Sequence, residues 1–194
     1  MKEMIRQTVQ DAIETKQKFF EAHEDLIEIC ARQLADTFDA GGKLLLFGNG
    51  GSAADCQHIA AEFVNRFQME RKPLPAIALT CDTSIITSIG NDYTFDEIFS
   101  KQVQALGNKK DMAIGISTSG NSANVIRAAA VAKDQGLTLV GFSGAGGKLK
   151  EMSDMAFCVG SSVTARIQEV HITLGHILCD LAERILFHGL KPPY

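Results

Sequence analysis

The sequence contains no tryptophan, few prolines and no excess of basic residues. Its 19 lysines and arginines stand against 23 aspartates and glutamates, which gives a formal charge of -4. A nucleic-acid partner is not favoured by that balance, because proteins of that kind usually carry a basic face. No apolar run approaches the roughly 20 residues that a membrane-spanning helix needs, and the beginning of the chain is too polar for a secretion signal. We therefore expect a cytoplasmic protein with no nucleic-acid and no membrane partner.

The cysteines form no recognisable pair or metal-binding pattern. They are widely scattered and contain no C-x-x-C spacing: Cys30, Cys56, Cys81, Cys158 and Cys179. Such a distribution indicates reduced thiols in the core and argues against a disulfide framework. No proline-rich or low-complexity linker divides the 194 residues. We predict a single domain over residues 1–194.

Short apolar runs alternate with helical patterns through the middle of the chain. Five runs read as strands: 43–47, 76–79, 112–116, 137–142 and 155–159. Strands that are apolar on both faces and separated by helices are typical of a parallel sheet covered by helices above and below. The sequence therefore predicts an α/β fold, a three-layer α/β/α sandwich with a central five-stranded parallel sheet.

Amphipathic helical patterns occupy both ends of the chain. Apolar residues recur at helical spacing from Ile5 to Phe20 and again from Leu26 to Phe38, which predicts a pair of N-terminal helices over residues 1–40. Residues 163–187 predict a long C-terminal helix whose apolar positions alternate by four and three. One face of this helix can cover the sheet, and the other needs a partner. We expect the terminal helices to form a subunit interface.

Two polar, glycine-containing loops follow predicted strands. Gly48-Asn49-Gly50-Gly51-Ser52 follows the first strand, and Ser117-Thr118-Ser119-Gly120-Asn121-Ser122 follows the third. Loops at the carboxyl ends of parallel strands bind ligands, and helix N-termini offer free N–H groups to anions. Neither loop matches a nucleotide-binding motif, so a phosphate monoester fits better. The alternative is that both loops only turn the chain and cap helices. A third glycine segment, 144–148, lacks the required first glycine and is expected to be a surface turn.

Imidazole and carboxylate side chains on two helices are candidates for chemistry. His58 and Glu62 stand four residues apart, which places them on one helical face. They suit one divalent ion or a shared substrate, although a solvated pair explains the same spacing. On the last helix, Gln168 is followed by His171 and His176, and spacing alone does not decide which histidine takes part.

Taken together, the two loops resemble those of a known family. The segments Gly90-Asn91-Asp92 and Arg166-Ile167-Gln168-Glu169-Val170-His171, with His58, Glu62 and His176, complete the likeness to the sedoheptulose 7-phosphate isomerases, also called phosphoheptose isomerases. The resemblance covers essentially the whole chain. It implies the sugar isomerase (SIS) fold and a homotetramer with active sites at subunit contacts. The implied reaction converts sedoheptulose 7-phosphate to D-glycero-D-manno-heptose 7-phosphate, which feeds ADP-heptose synthesis for lipopolysaccharide core and other surface glycans.

The resemblance also implies roles for individual residues. Glu62 would be the base that moves a proton between C1 and C2 of an enediol intermediate, and His176 its acid–base partner. One zinc ion per subunit would be held by His58, Glu62, Gln168 and His176. Substrate would contact Asn49, Gly50, Gly51, Glu62, Asn91, Asp92, Ser117, Thr118, Ser119, Ser122 and Gln168. One departure is Ala165, where some members carry an aspartate implicated in activity.

Two other functions remain open at this point. SIS-fold proteins that bind the bacterial replication initiator are similar in residues 101–107 and 162–171, but they lack the acidic and imidazole groups found here at Glu62 and His176. An isomerase of another sugar phosphate, such as a hexulose or aminosugar phosphate, is the third possibility. The order of the motifs favours the heptose.

Overall fold

The computed structural model describes residues 1–187, and the predicted end of the domain at residues 188–194, with His188, lies outside the described residues. A parallel sheet of five strands forms the centre, in the order β2-β1-β3-β4-β5. Its strands are β1 (Leu44–Gly48), β2 (Ala76–Ala78), β3 (Met112–Ser117), β4 (Thr138–Ser143) and β5 (Met155–Cys158). Residues 1–187 also contain α1 (Lys2–Asp39), α2 (Gly51–Val64), α3 (Thr83–Asp92), α4 (Ser100–Leu106), α5 (Ala123–Asp134), α6 (Lys148–Met152) and α7 (Thr164–Phe187). The predicted three-layer sandwich is confirmed.

Each face of the sheet has its own apolar core. Alternate side chains of a strand point to opposite faces, so Leu44 and Leu46 belong to the core under α1, α2 and α7. Leu45 and Phe47 belong to the core under α4, α5 and α6. All five residues of β1 are buried, which explains why the strand is apolar without alternation. The carboxyl ends of the strands are thereby held at one edge of a rigid layer.

The predicted pair of N-terminal helices is wrong, because α1 is one continuous helix of 38 residues. The five residues between the two apolar patterns, 21–25, include no glycine or proline, so nothing interrupts the ladder of backbone hydrogen bonds. The two patterns instead mark two environments. One face of the second half of α1 is buried against the core, whereas Ile5, Val9 and Ile13 are more than half exposed.

A buried ion pair joins α7 to the segment that follows α2. The Glu183 carboxylate accepts hydrogen bonds from the backbone N–H groups of residues 67–69 and from Arg71 Nε at 2.8 Å. The same guanidinium donates to the carbonyl of Glu62 at 2.8 Å. Burial acts to raise the pKa of Glu183, but the three N–H groups and Arg71 outweigh it and lower that pKa. This network fixes the C-terminal end of α2 against α7. Within residues 1–187, no helix is both long and apolar enough to cross a bilayer.

Candidate active site

The glycine loop after β1 brings backbone close to two neighbouring segments. Gly50 has a φ of 56° and precedes the first turn of α2. A Cβ on Gly48 would lie 2.9 Å from the carbonyl oxygen of Ile116 on the adjacent strand, and a Cβ on Gly51 would lie 2.4 Å from Nε2 of Gln168. Glycine is therefore favoured at position 48 by the backbone of β3, and the predicted residues Gly51 and Gln168 are in contact.

Three hydroxyl groups converge in the loop after β3. Ser117 Oγ lies 2.9 Å from Ser122 Oγ and 3.3 Å from Ser119 Oγ. The loop turns through a hydrogen bond from the Gly120 N–H to the Ser117 carbonyl, and α5 begins directly after it. Hydroxyls clustered at a helix N-terminus suit a phosphate group, since both the hydroxyl protons and the free N–H groups can face it. Thr118 is partly exposed beside them.

The glycine segment after β4 packs its backbone against this hydroxyl loop, so it is more than the expected surface turn. Gly144 N–H donates to the Thr118 carbonyl, and Leu149 N–H donates to the Gly120 carbonyl. A Cβ on Gly120 would lie only 1.9 Å from the Gly146 carbonyl oxygen. The two loops can approach so closely because neither carries a side chain at these points.

Facing imidazoles lie where α2 and α7 pack together. Nε2 of His176 is 3.0 Å from Nε2 of His58, and Oε1 of Glu62 is 3.3 Å from the same His58 atom. The helices come close at Gly175, where a Cβ would lie 2.6 Å from Ile59 Cδ1. The i,i+4 spacing of His58 and Glu62 therefore meets His176 across the helix pair.

The donor set agrees with zinc in type and spacing. Two ligands of one tetrahedral zinc ion, with bonds of roughly 2.0–2.1 Å, are about 3.3 Å apart, close to the separations of His58 Nε2 from its two neighbours. Among residues 1–187, however, no group of three or more His, Cys, Asp or Glu side chains is arranged so that it could hold a metal ion. The structure does not bring Gln168 to this group, because its amide lies against Gly51 and the residue stands eight positions before His176 on α7, which corresponds to roughly 12 Å of helix rise.

Burial and neighbouring charge shift two titratable groups here. Burial lowers the pKa of His176, the nearby His58 lowers it further, and Glu62 opposes both effects. A neutral imidazole is the form that accepts a proton or binds a metal ion. Burial raises the pKa of Asp55, one turn before His58 on α2, although His58 acts in the opposite direction.

Other predicted residues lie apart from this group. His171 is fully buried and its Nε2 is 3.2 Å from the Ser143 carbonyl oxygen, which fits a structural histidine. Asn91 and Asp92 lie at the exposed C-terminal end of α3, where Asn91 Nδ2 donates to Asp92 Oδ1 at 2.8 Å. In the described part of the chain, no hydrogen bond joins those two residues to the loops or to the histidines.

Sequence reasoning missed two side chains that touch the predicted site. The ring of Phe67 stacks on His176, with ring centroids 5.6 Å apart. Asn124 exchanges two hydrogen bonds with Asn49. No spacing signal could have found them, because their partners are 109 and 75 residues away in the sequence. Phe67 belongs to the loop that the buried Glu183 carboxylate holds.

Known proteins are similar to this chain along almost its whole length. The SIS domain family matches residues 9–144. A phosphoheptose isomerase from Nitratidesulfovibrio vulgaris is 55% identical over 192 residues, which cover 97% of this chain and 92% of that protein. The chain belongs to the phosphoheptose isomerase family. A phosphoheptose isomerase from Aquifex aeolicus is 52% identical over 187 residues, covering 96% of this chain and 98% of that one.

Solved structures of phosphoheptose isomerases share the fold over almost the whole chain. One from Francisella tularensis has a TM-score of 0.90 at 39% identity, covering 94% of this chain and 97% of that chain. Another from Neisseria gonorrhoeae has a TM-score of 0.88 at 42% identity, covering 94% and 98%. In this chain, Ala165 is exposed on the wall of a cleft of about 730 Å³ that Asp11 and Glu14 of α1 also line. Carboxylates of α1 thus lie near Ala165.

Proposed function

We propose that the protein interconverts sedoheptulose 7-phosphate and D-glycero-D-manno-heptose 7-phosphate, as the first step of ADP-heptose biosynthesis. The observation that carries this function is the meeting of Glu62, His58 and His176 between α2 and α7, in a chain whose loop after β3 also clusters serine hydroxyls. An aldose–ketose isomerase needs both parts, a group that moves protons at C1 and C2 and an anchor for the distant phosphate.

The phosphate end of the substrate is assigned to the hydroxyl loop. Ser117, Ser119 and Ser122 donate hydrogen bonds to phosphate oxygens, and the first turn of α5 adds its N–H groups. Thr118 completes the loop, while Asn49, Gly50 and Gly51 face the sugar from the other loop. Asn91 and Asp92 remain proposed substrate contacts that would have to meet the sugar from α3.

The proton transfers are assigned to the carboxylate and an imidazole. Glu62 takes the proton from C1 of the ketose and returns it to C2, so that the enediol formed between these steps becomes the aldose. His176 moves the proton between the two oxygens, since its lowered pKa keeps the ring neutral and able to accept one. The proton lost from O1 is matched by the proton gained at O2.

Zinc is proposed as the cofactor, with His58, Glu62, Gln168 and His176 as its ligands. When bound, the ion would act as a Lewis acid that stabilises negative charge on the enediolate oxygens. The facing Nε2 atoms of the two histidines support this assignment, because a shared ion requires both atoms to be deprotonated and directed at one point.

We also propose a cytoplasmic homotetramer. All five cysteines are free thiols, as expected in a reducing compartment. The N-terminal half of α1 exposes Ile5, Val9 and Ile13, and α1 and α7 border an apolar groove of about 420 Å³. Such apolar surface is typical of an interface between subunits.

The decisive experiment is turnover of sedoheptulose 7-phosphate, followed by proton NMR as the aldose phosphate appears with zinc present. Glu62→Gln keeps the shape of the side chain and removes the base, so we expect kcat to fall at least about a hundredfold. Glu151→Gln, on the exposed surface of α6, is the matched control and should keep wild-type kcat. Absence of turnover in a folded, zinc-loaded wild-type protein would contradict the proposed function, and near-normal kcat in Glu62→Gln would contradict the assignment of the base.

A further inference from the structure

A pair of asparagine side chains joins the two loops assigned to the substrate. Asn49 Nδ2 donates to Asn124 Oδ1 at 2.8 Å, and Asn124 Nδ2 donates back to Asn49 Oδ1 at 2.9 Å. Asn49 belongs to the glycine loop after β1, and Asn124 is the second residue of α5, directly behind the hydroxyl loop. The pair is therefore a direct side-chain link between the two halves of the site.

Asn124 is buried where an apolar side chain would be the ordinary choice. Only 3% of the residue is exposed, and Val125 and Ala128 of the same helix are fully buried. A carboxamide in such a place is unfavourable unless hydrogen bonds replace the lost water. The Oδ1 of Asn124 accepts one hydrogen bond from Asn49 Nδ2 and another from the Val125 N–H at 2.9 Å. The backbone thus supplies one of these two donors, and the Asn49 carboxamide supplies the other.

We propose that Asn124 is a positioning residue for substrate binding and acts through Asn49. The inference rests on the proposed function, in which Asn49 contacts the sugar phosphate. A carboxamide has two N–H donors and an oxygen with two lone pairs. Pairing with Asn124 uses one of each, which leaves Asn49 with one donor and one acceptor at fixed orientation. A sugar hydroxyl both donates and accepts hydrogen bonds, so it is the group that this remaining pair recognises.

Fixing Asn49 in the free protein favours binding. A side chain that is already held in its bound orientation loses little rotamer freedom when the ligand arrives. Asn124 also follows Ser122 by two residues, so the same link sets the distance between the sugar contact and the phosphate-binding hydroxyls. Loss of Asn124 should therefore weaken substrate binding more than it slows proton transfer.

A double-mutant cycle tests whether Asn124 acts through Asn49. We would measure KM and kcat for sedoheptulose 7-phosphate in Asn49→Ala, Asn124→Ala and the double variant. Loss of one net hydrogen bond corresponds to roughly a fivefold rise in KM, so each single variant is expected near that value with kcat within about twofold of wild type. The double variant is expected to be no worse than Asn49→Ala alone, since Asn124 has nothing left to position once Asn49 is removed. Fivefold effects that multiply to about twenty-five-fold, or an unchanged KM in Asn124→Ala, would overturn the proposal.

A second substitution covers the case in which Asn124→Ala does not fold. Asn124→Asp keeps the acceptor for Asn49 and Val125 and removes only the donor, and a carboxylate in the first turn of α5 is favourable for the helix. We expect a folded protein with a similarly raised KM. Ala132→Gly, a buried change at the far end of α5, is the control for general destabilisation: its thermal midpoint should fall while KM stays unchanged. A raised KM in this control would attribute the effect to stability and contradict the proposal.

The failure of this inference can be told apart from failure of the proposed function. The dissociation constant of sedoheptulose 7-phosphate gives a readout that needs no turnover. It would be measured calorimetrically in wild type, Asn49→Ala, Asn124→Ala and the double variant. Wild-type protein that neither binds nor converts this sugar phosphate would defeat the proposed function and the inference with it. Wild-type protein that converts it, with a cycle that is additive in both KM and the dissociation constant, would defeat the inference alone.

Discussion

Protonation of the buried His171 should make the protein less stable in mild acid. The residue is fully buried on α7, and its Nε2 is within 3.2 Å of the Ser143 carbonyl oxygen. Within the described residues, its Nδ1 is buried without a hydrogen-bond partner. The neutral ring with its proton on Nε2 fits this place, whereas a second proton on Nδ1 would have no acceptor. Burial accordingly lowers the pKa of His171 to about 4, although the bond to Ser143 opposes that effect.

The size and direction of the effect follow from the two states of the chain. In the unfolded chain the histidine has its ordinary pKa of 6.5, so between pH 6.5 and about 4 the unfolded state binds more protons than the folded state. The contribution of the neutral ring is therefore complete above pH 6.5 and is lost as the pH falls towards 4. At about 1.4 kcal/mol for each pKa unit, the loss amounts to about 3 kcal/mol of unfolding free energy.

His171→Gln isolates this contribution, because the amide of glutamine can still donate to Ser143 but does not titrate. We would measure urea unfolding from pH 7.5 to 4 at one fixed protein concentration, since an oligomer's stability depends on concentration. The advantage of wild type over the variant should shrink by about 3 kcal/mol across this range. His23→Gln makes the same change at a histidine that solvent reaches and serves as control. Parallel curves for wild type and His171→Gln would refute the reasoning.

Two further substitutions test other contacts. Glu183→Gln leaves a buried guanidinium and three backbone N–H groups with a weaker acceptor. The free energy of unfolding, measured by urea titration, should therefore fall by about 3–5 kcal/mol. A loss below about 1 kcal/mol would contradict the importance of the buried pair. Gly51→Ala places a Cβ 2.4 Å from Nε2 of Gln168 and displaces that flexible side chain. The affinity for zinc, measured by competition with a chelator, should therefore fall roughly tenfold. An unchanged affinity would argue against Gln168 as a ligand.

The sheet could be predicted from sequence because each strand carries its own signal. Residues 44–48 and 112–117 are buried on both faces, and continuous apolar runs are the local trace of that burial. The i,i+4 spacing of His58 and Glu62 is equally local. The continuity of α1 was predictable in principle from the absence of a helix-breaking residue at 21–25, but the change in apolar pattern hid it.

Contacts between distant segments could not be predicted in the same way. Arg71 and Glu183 are 112 residues apart in the sequence. The only local signal is that Glu183 follows the buried Cys179 by four residues, on the same face of α7, where a carboxylate needs a partner. The choice of His176 over His171 depends on the crossing of α2 and α7 at Gly175, which fixes which side of α7 faces His58. Spacing along one helix contains no information about that crossing.

The contact between Gly120 and the 144–147 segment has a consequence for protein engineering. Because the two loops touch through backbone atoms, the glycines at this contact carry no side chain that could be exchanged to reshape the proposed phosphate end. Any residue larger than glycine at position 120 would push the loops apart. A library aimed at sugar phosphates of other lengths would therefore hold these glycines constant. The library would instead vary the side chains proposed to face the sugar. Substitutions there can change which sugar phosphate is bound while the proposed phosphate-binding loop stays intact.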